Sequence, residues 1–137
     1  MPYLTWDDKT MSVGVGVLDD DHKKLVALID DLFFGLKDGR DKDTTDKMLD
    51  KIVAHAIKHF NREEAFFEKA GYPDADVHKT AHKNLAKQIL VFQQRYKKEG
   101  TDALVLEIAN FLWMWLVCHD LTFDKKYGPH LNSKGIF

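Results

Sequence analysis

The stretch HFNREEAFFEKAGYPDADVHKTAH, residues 59–82, carries the reading that decides the fold. Its first half holds His59 and Glu63 four residues apart, and its second half holds His78 and His82 at the same separation. At 3.6 residues per turn, each pair projects from one helix face on successive turns. Between the pairs, Gly71, Pro73 and Asp74 supply a helix stop, a rigid turn and a new N-cap. A turn that short requires the two flanking helices to be antiparallel neighbours.

The same periodicity extends outward from this hairpin. Upstream, Thr44 or Thr45 can cap a helix whose inner stripe is Met48, Ile52, His55, His59, Glu63 and Phe66 or Phe67, ending at Ala70. Before it, an acidic first turn from Asp19 opens a helix carrying His22, Leu25, Ile29, Leu32 and Leu36, with a stop near Gly39. Downstream, the third helix runs from about Ala75 to Lys98 with His78, His82, Leu85, Ile89, Phe92 and Tyr96 inward. Thr101 or Asp102 caps a fourth helix with Ile108, Leu112, Trp115 and His119 on its stripe, and Gly128 with Pro129 is expected to end it. Four amphipathic helices joined by short turns predict an all-α fold, an up-down-up-down antiparallel four-helix bundle. The chain divides into an N-terminal arm over 1–18, a bundle over 19–127 and an aperiodic tail over 128–137, forming one domain of 1–137. Val13, Val15 and Val17 alternate with Gly14 and Gly16, which reads as an extended segment laid across the bundle.

Composition narrows the function. With 137 residues and 45% hydrophobic content, there is material for one real core. Lys and Arg total 20 against 22 Asp and Glu, a net charge of −2, which argues against nucleic acid and anionic membrane surfaces as partners. The longest apolar run, Phe111–Cys118, is too short for membrane insertion. Asp7 and Asp8 beside Trp6 do not resemble a secretory leader, and Cys118 as sole cysteine allows no internal disulfide, so a cytoplasmic location is expected.

Each of the four helices places a metal-competent side chain on its core stripe. Single His–xxx–His or His–xxx–Glu pairs arise by chance, but two acids and five imidazoles all facing inward would carry a large desolvation cost without a cation. His119 and Asp124 are five apart, about 140° around an ideal helix, and so form a poor chelate alone. The spacing makes sense if Asp124 reaches sideways to bridge two ions while His119 binds one. Imidazole-rich, carboxylate-poor ligation suits iron, copper or zinc rather than calcium or magnesium. Cys118 faces about 100° away from His119 and stays outside the set. His55 shares the face of His59 and is read as a core or supporting histidine, and His130 as solvated. Asp21 and the run Asp19–Asp21 could help orient an imidazole, although acids in a first helical turn are already accounted for by the helix dipole. Asp120 is read as facing solvent or accepting a hydrogen bond from the site.

One His in the first helix, HxxxE in the second, HxxxH in the third and HxxxxD in the fourth together resemble the hemerythrin family in its bacterial single-domain form. The resemblance covers nearly the whole chain. It implies two non-heme iron ions with an oxo or hydroxo bridge, His78, His82 and His119 on one ion, His22 and His59 on the other, and Glu63 and Asp124 bridging. The two-histidine ion would keep the open position. The resemblance further implies reversible dioxygen binding for transport, storage or delivery, with an oxygen-consuming enzyme as recipient, no enzymatic activity and a monomeric state. Leu116 and Trp115 are then candidates for the lining of the oxygen pocket. A di-iron enzyme acting on peroxide or nitric oxide, or an oxygen or iron sensor, is the competing reading.

Overall fold

A computed structural model describes residues 4–119 and 123–137. The described residues form six helices: α1 (Asp8–Met11), α2 (Gly16–Asp38), α3 (Lys42–Ala70), α4 (Ala75–Glu99), α5 (Asp102–His119) and α6 (Lys125–Ser133). The four long helices pack in a ring, α2 against α3, α3 against α4 and α4 against α5, with α2 meeting α5 to close it. The fold is the expected all-α, up-down-up-down bundle.

Local chemistry fixes the ends of these helices. Asp41, rather than Thr44 or Thr45, caps α3, its side chain accepting from the Thr44 amide at 2.7 Å. An ionised carboxylate facing free amides at the positive end of the dipole outcompetes a hydroxyl one turn later. Thr101 caps α5 through Oγ1, which accepts from the Leu104 amide at 3.2 Å. Gly71 ends α3 at φ 62°, a left-handed conformation that costs other residues energy.

The arm differs from the expected extended segment. Asp7 caps the short helix α1, and α2 starts at Gly16, so the alternating pattern stops after Val15. Val13 and Val15 are buried while Val17 is exposed on the first turn of α2. Asp19 holds the arm down, accepting from Ser12 Oγ at 2.6 Å and from the Val13 amide at 2.8 Å.

The C-terminal expectation is corrected as well. Gly128 and Pro129 do not end the helical path, because α6 continues to Ser133 through Pro129. Gly128 instead allows close packing: a Cβ there would lie 2.1 Å from the Val13 carbonyl oxygen. The residues assigned to an aperiodic tail therefore form a helix that clamps the arm, with Leu131 buried and Asn132 donating to the Gly14 carbonyl at 3.0 Å. His130 is not solvated either. It is half-buried, and its Nε2 donates to the Ala70 carbonyl at 2.9 Å.

Helix α5 is strongly apolar despite Asp102 and Glu107, with mean hydropathy 1.3 over 18 residues, so by length and composition it reaches the range of a membrane span. The sequence reading counted only its last uninterrupted run. In the bundle, Val105, Ile108, Leu112, Trp115 and Leu116 close the core.

Two apolar clusters result. The larger fills the bundle with Leu25, Ile29, Ile52, Phe60, Ile89, Leu112 and Leu116 among others. The smaller joins Val13, Val15 and Leu18 of the arm side to Phe67, Tyr72, Tyr127 and Leu131. On α2 and α3, His22 and the His59–Glu63 pair fall between residues of one cluster and residues of the other.

Candidate metal centre

Seven polar side chains occupy this boundary, and all are buried: His22, His59, Glu63, His78, His82, His119 and Asp124. They come from α2, α3, α4, α5 and the short turn ahead of α6. Their ligand-capable atoms fall into two groups, Glu63 with His78, His82 and His119, and Glu63 with His22, His59 and Asp124, each group within 4.8 Å across. Glu63 belongs to both.

The two carboxylates reach both sides. Glu63 Oε1 lies 3.0 Å from His59 Nε2 and 3.2 Å from His82 Nε2, and Oε2 lies 4.0 Å from His78 Nε2. Asp124 Oδ2 is 2.8 Å from His22 Nε2, while Oδ1 is 3.0 Å from His78 Nε2 and 2.9 Å from His119 Nε2. Both oxygens of each acid, and Nε2 of His59, His78, His82 and His119, nevertheless lack hydrogen-bond geometry with any partner. Donors and acceptors that crowd together yet do not aim at one another are aimed at shared points between them. That arrangement, a crowd of buried acids and imidazoles without mutual hydrogen bonds, fits the binding of cations.

Electrostatics agree. Burial raises the Asp124 carboxyl, but His119, His22 and His78 outweigh it and hold it well below the usual range. Burial and the charge of Asp124 raise Glu63, and His59 with His82 overcome both, so this carboxyl too is lowered. Burial lowers His59, yet Glu63, the Asp21 hydrogen bond and Asp124 raise it to about 10. His119 is raised against its burial by Asp124. Without a cation the cluster keeps its acids ionised by holding protons on imidazoles.

Although five residues apart, Asp124 and His119 meet at the site, with Asp124 Oδ1 2.9 Å from His119 Nε2. Phe123 and Asp124 are π-helical. Asp120, read as solvent-facing or as an acceptor, lies outside the described residues.

Behind the ligand-capable atoms, Asp21 orients an imidazole, the alternative to its helix-dipole reading. Its Oδ2 accepts from His59 Nδ1 at 3.0 Å, its Oδ1 from Arg62 at 3.0 Å, and its backbone carbonyl from His55 Nε2 at 2.9 Å. His55 thus braces α2 and lies outside both ligand groups. Glu64, which the sequence reading passed over, accepts from His82 Nδ1 at 3.4 Å. Phe60 stacks on His82 at 4.2 Å between ring centroids, and Phe67 lies 4.7 Å from His78. Trp115 lies 5.7 Å from His119 and, with it, lines an apolar cleft of about 470 Å³ between α4 and α5. Leu116, one residue on, is buried in the larger core cluster.

Residues 13–131 match the model of the hemerythrin HHE cation-binding domain, a span that contains all seven buried polar residues. The chain belongs to the hemerythrin family. Among hemerythrin relatives, it is 29% identical over 133 residues to the bacteriohemerythrin of Methylococcus capsulatus, covering 97% of this chain and all of that one. It is 28% identical over 127 residues to the bacteriohemerythrin of Clostridium acetobutylicum, covering 90% of this chain and 98% of the relative. A crystal structure of wild-type hemerythrin superposes with a TM-score of 0.86 at 29% identity, covering 94% of this chain and 98% of the other. The hemerythrin domain thus extends over both apolar clusters and the polar layer between them.

Proposed function

We propose that the seven residues hold two iron ions and that the protein binds dioxygen reversibly there, as a carrier, store or local supplier in the cytoplasm. The observation that carries this reading is the placement of Glu63 and Asp124, each within 3.2 Å of histidine nitrogens from both halves of the site. Two carboxylates shared in this way suit a pair of ions and are wasted on one. His78, His82 and His119 would hold one iron, and His22 and His59 the other, with Glu63 and Asp124 bridging. When bound, the iron pair would supply reversible two-electron exchange with dioxygen.

The residues of the chain contribute geometry and dryness. Asp21 fixes the tautomer of His59 by accepting a hydrogen bond from its Nδ1–H, which leaves Nε2 as the metal-facing nitrogen. Phe60, Phe67 and Trp115 press against the imidazoles and exclude water that would carry protons to reduced oxygen. Trp6 stacks over His22 at 6.4 Å, on the side of the two-histidine ion. Relatives named bacteriohemerythrin and a site walled by aromatic rings favour a binder over an enzyme. To test this, reduced iron-loaded protein is cycled between oxygen and argon while visible spectra are recorded. An absorption band that appears with oxygen and vanishes under argon over repeated cycles is expected. A band that stays, or a single irreversible oxidation, overturns the carrier reading.

A further inference from the structure

The two halves of the site are backed unequally. On the two-histidine side, His59 Nδ1 donates to a carboxylate at 3.0 Å that is only 12% exposed. The other oxygen of that carboxylate accepts from Arg62, itself 32% exposed, also at 3.0 Å. On the three-histidine side, the corresponding partner of His82 is Glu64, at 3.4 Å and 27% exposed. A carboxylate that accepts an imidazole N–H raises the basicity of the ring and makes it a stronger donor to a metal. The strength of that effect depends on how much of the carboxylate's charge is free to act. Arg62 withdraws part of it through a charge-assisted bond.

We infer that Asp21 and Arg62 form a tuning pair that acts through His59: Asp21 raises, and Arg62 limits, the electron donation of His59 to the ion it shares with His22. Both are positioning residues. They touch no ligand atom that faces the metal, and they connect the buried site to solvent along a line from Arg62 through Asp21 to His59. His55, bonded to the backbone carbonyl of Asp21, anchors the turn of α2 that presents the carboxylate. A stronger donor stabilises the oxidised metal and lowers its reduction potential. Removing the charge of Asp21 therefore raises the potential of this ion, and removing Arg62 lowers it. Opposite signs distinguish tuning from damage, because two merely disruptive substitutions in one hydrogen-bond network shift the centre the same way.

The inference rests on the dinuclear reading of the site, and its test does not use oxygen binding. Asp21→Asn, which keeps the shape and removes the charge, Arg62→Gln, Glu64→Gln and Asp20→Asn are compared with the parent protein. The midpoint potential is measured by anaerobic redox titration of iron-loaded protein, and metal affinity by titrating chelator-treated protein with cobalt(II) and following its visible spectrum. Expected are a higher potential and a 10–100-fold loss of affinity in Asp21→Asn, a lower potential in Arg62→Gln, a smaller upward shift in Glu64→Gln, and no shift in exposed Asp20→Asn. Same-direction shifts in Asp21→Asn and Arg62→Gln, or a shift in Asp20→Asn as large as in Asp21→Asn, would overturn the tuning pair. Parent protein that takes up no second metal ion overturns the dinuclear reading instead.

Discussion

His59 is held at Nδ1 by Asp21 at 3.0 Å, while its Nε2 lies 3.0 Å from Glu63 Oε1 without hydrogen-bond geometry. Its retained proton makes the metal-free site pH-sensitive. The folded-state value of about 10 exceeds the ordinary 6.5, so this group adds stability that is complete below about pH 6.5 and lost as pH rises through 10. Glu63 and Asp124 are lowered, so their contribution is present above the usual carboxylate range and lost as pH falls through it. Chelator-treated protein should therefore melt highest between about pH 5 and 6.5, with lower midpoints on either side. Equal melting temperatures at pH 6 and pH 9 would refute this. Substitution gives a second check: Glu63→Ala and His119→Ala should each lose the bound iron, while His55→Ala should retain it. Measured iron per chain decides, and loss in His55→Ala would make that histidine a ligand.

The elements show what a sequence carries and what it hides. Helix stripes, the hairpin at Gly71–Pro73–Asp74 and the inward series of seven ligand-type residues were legible because periodicity and turn chemistry act locally. Asp21 is legible only as an alternative, since an acid in a first helical turn already has a local explanation and its partners His59 and Arg62 lie on another helix. Glu64 was hidden beside Glu63, although the register of α3 turns it toward the back of His82. The π-helical state of Phe123 and Asp124 is not legible because residue spacing alone implies ideal helical geometry. Gly128 was read as a helix end, yet it is a contact: a methyl there meets the Val13 carbonyl oxygen at 2.1 Å. Gly128→Ala should cost about 2–3 kcal/mol by forcing the arm off α6. Gly71→Ala, strained only by its φ of 62°, should cost about 1 kcal/mol. Urea denaturation of the two variants gives the comparison, and equal costs would contradict the contact.

Across the whole molecule, a polar layer lies between two apolar clusters, and the arm together with α6 seals one of them. Such a layer is stable when a cation satisfies its acids and imidazoles together. If metal is held about 1,000-fold above its dissociation constant, its removal should cost about 4 kcal/mol, a fall of roughly 10–15 °C in Tm. Calorimetry of iron-loaded and chelated protein measures that fall, and superimposable melts would make the cluster a structural network independent of metal. The most direct measurement counts the metal. Protein purified under reducing conditions from iron-supplied cells and analysed by mass spectrometry for iron, zinc and copper should carry two irons per chain. One iron per chain, or zinc in place of iron, would contradict a di-iron site.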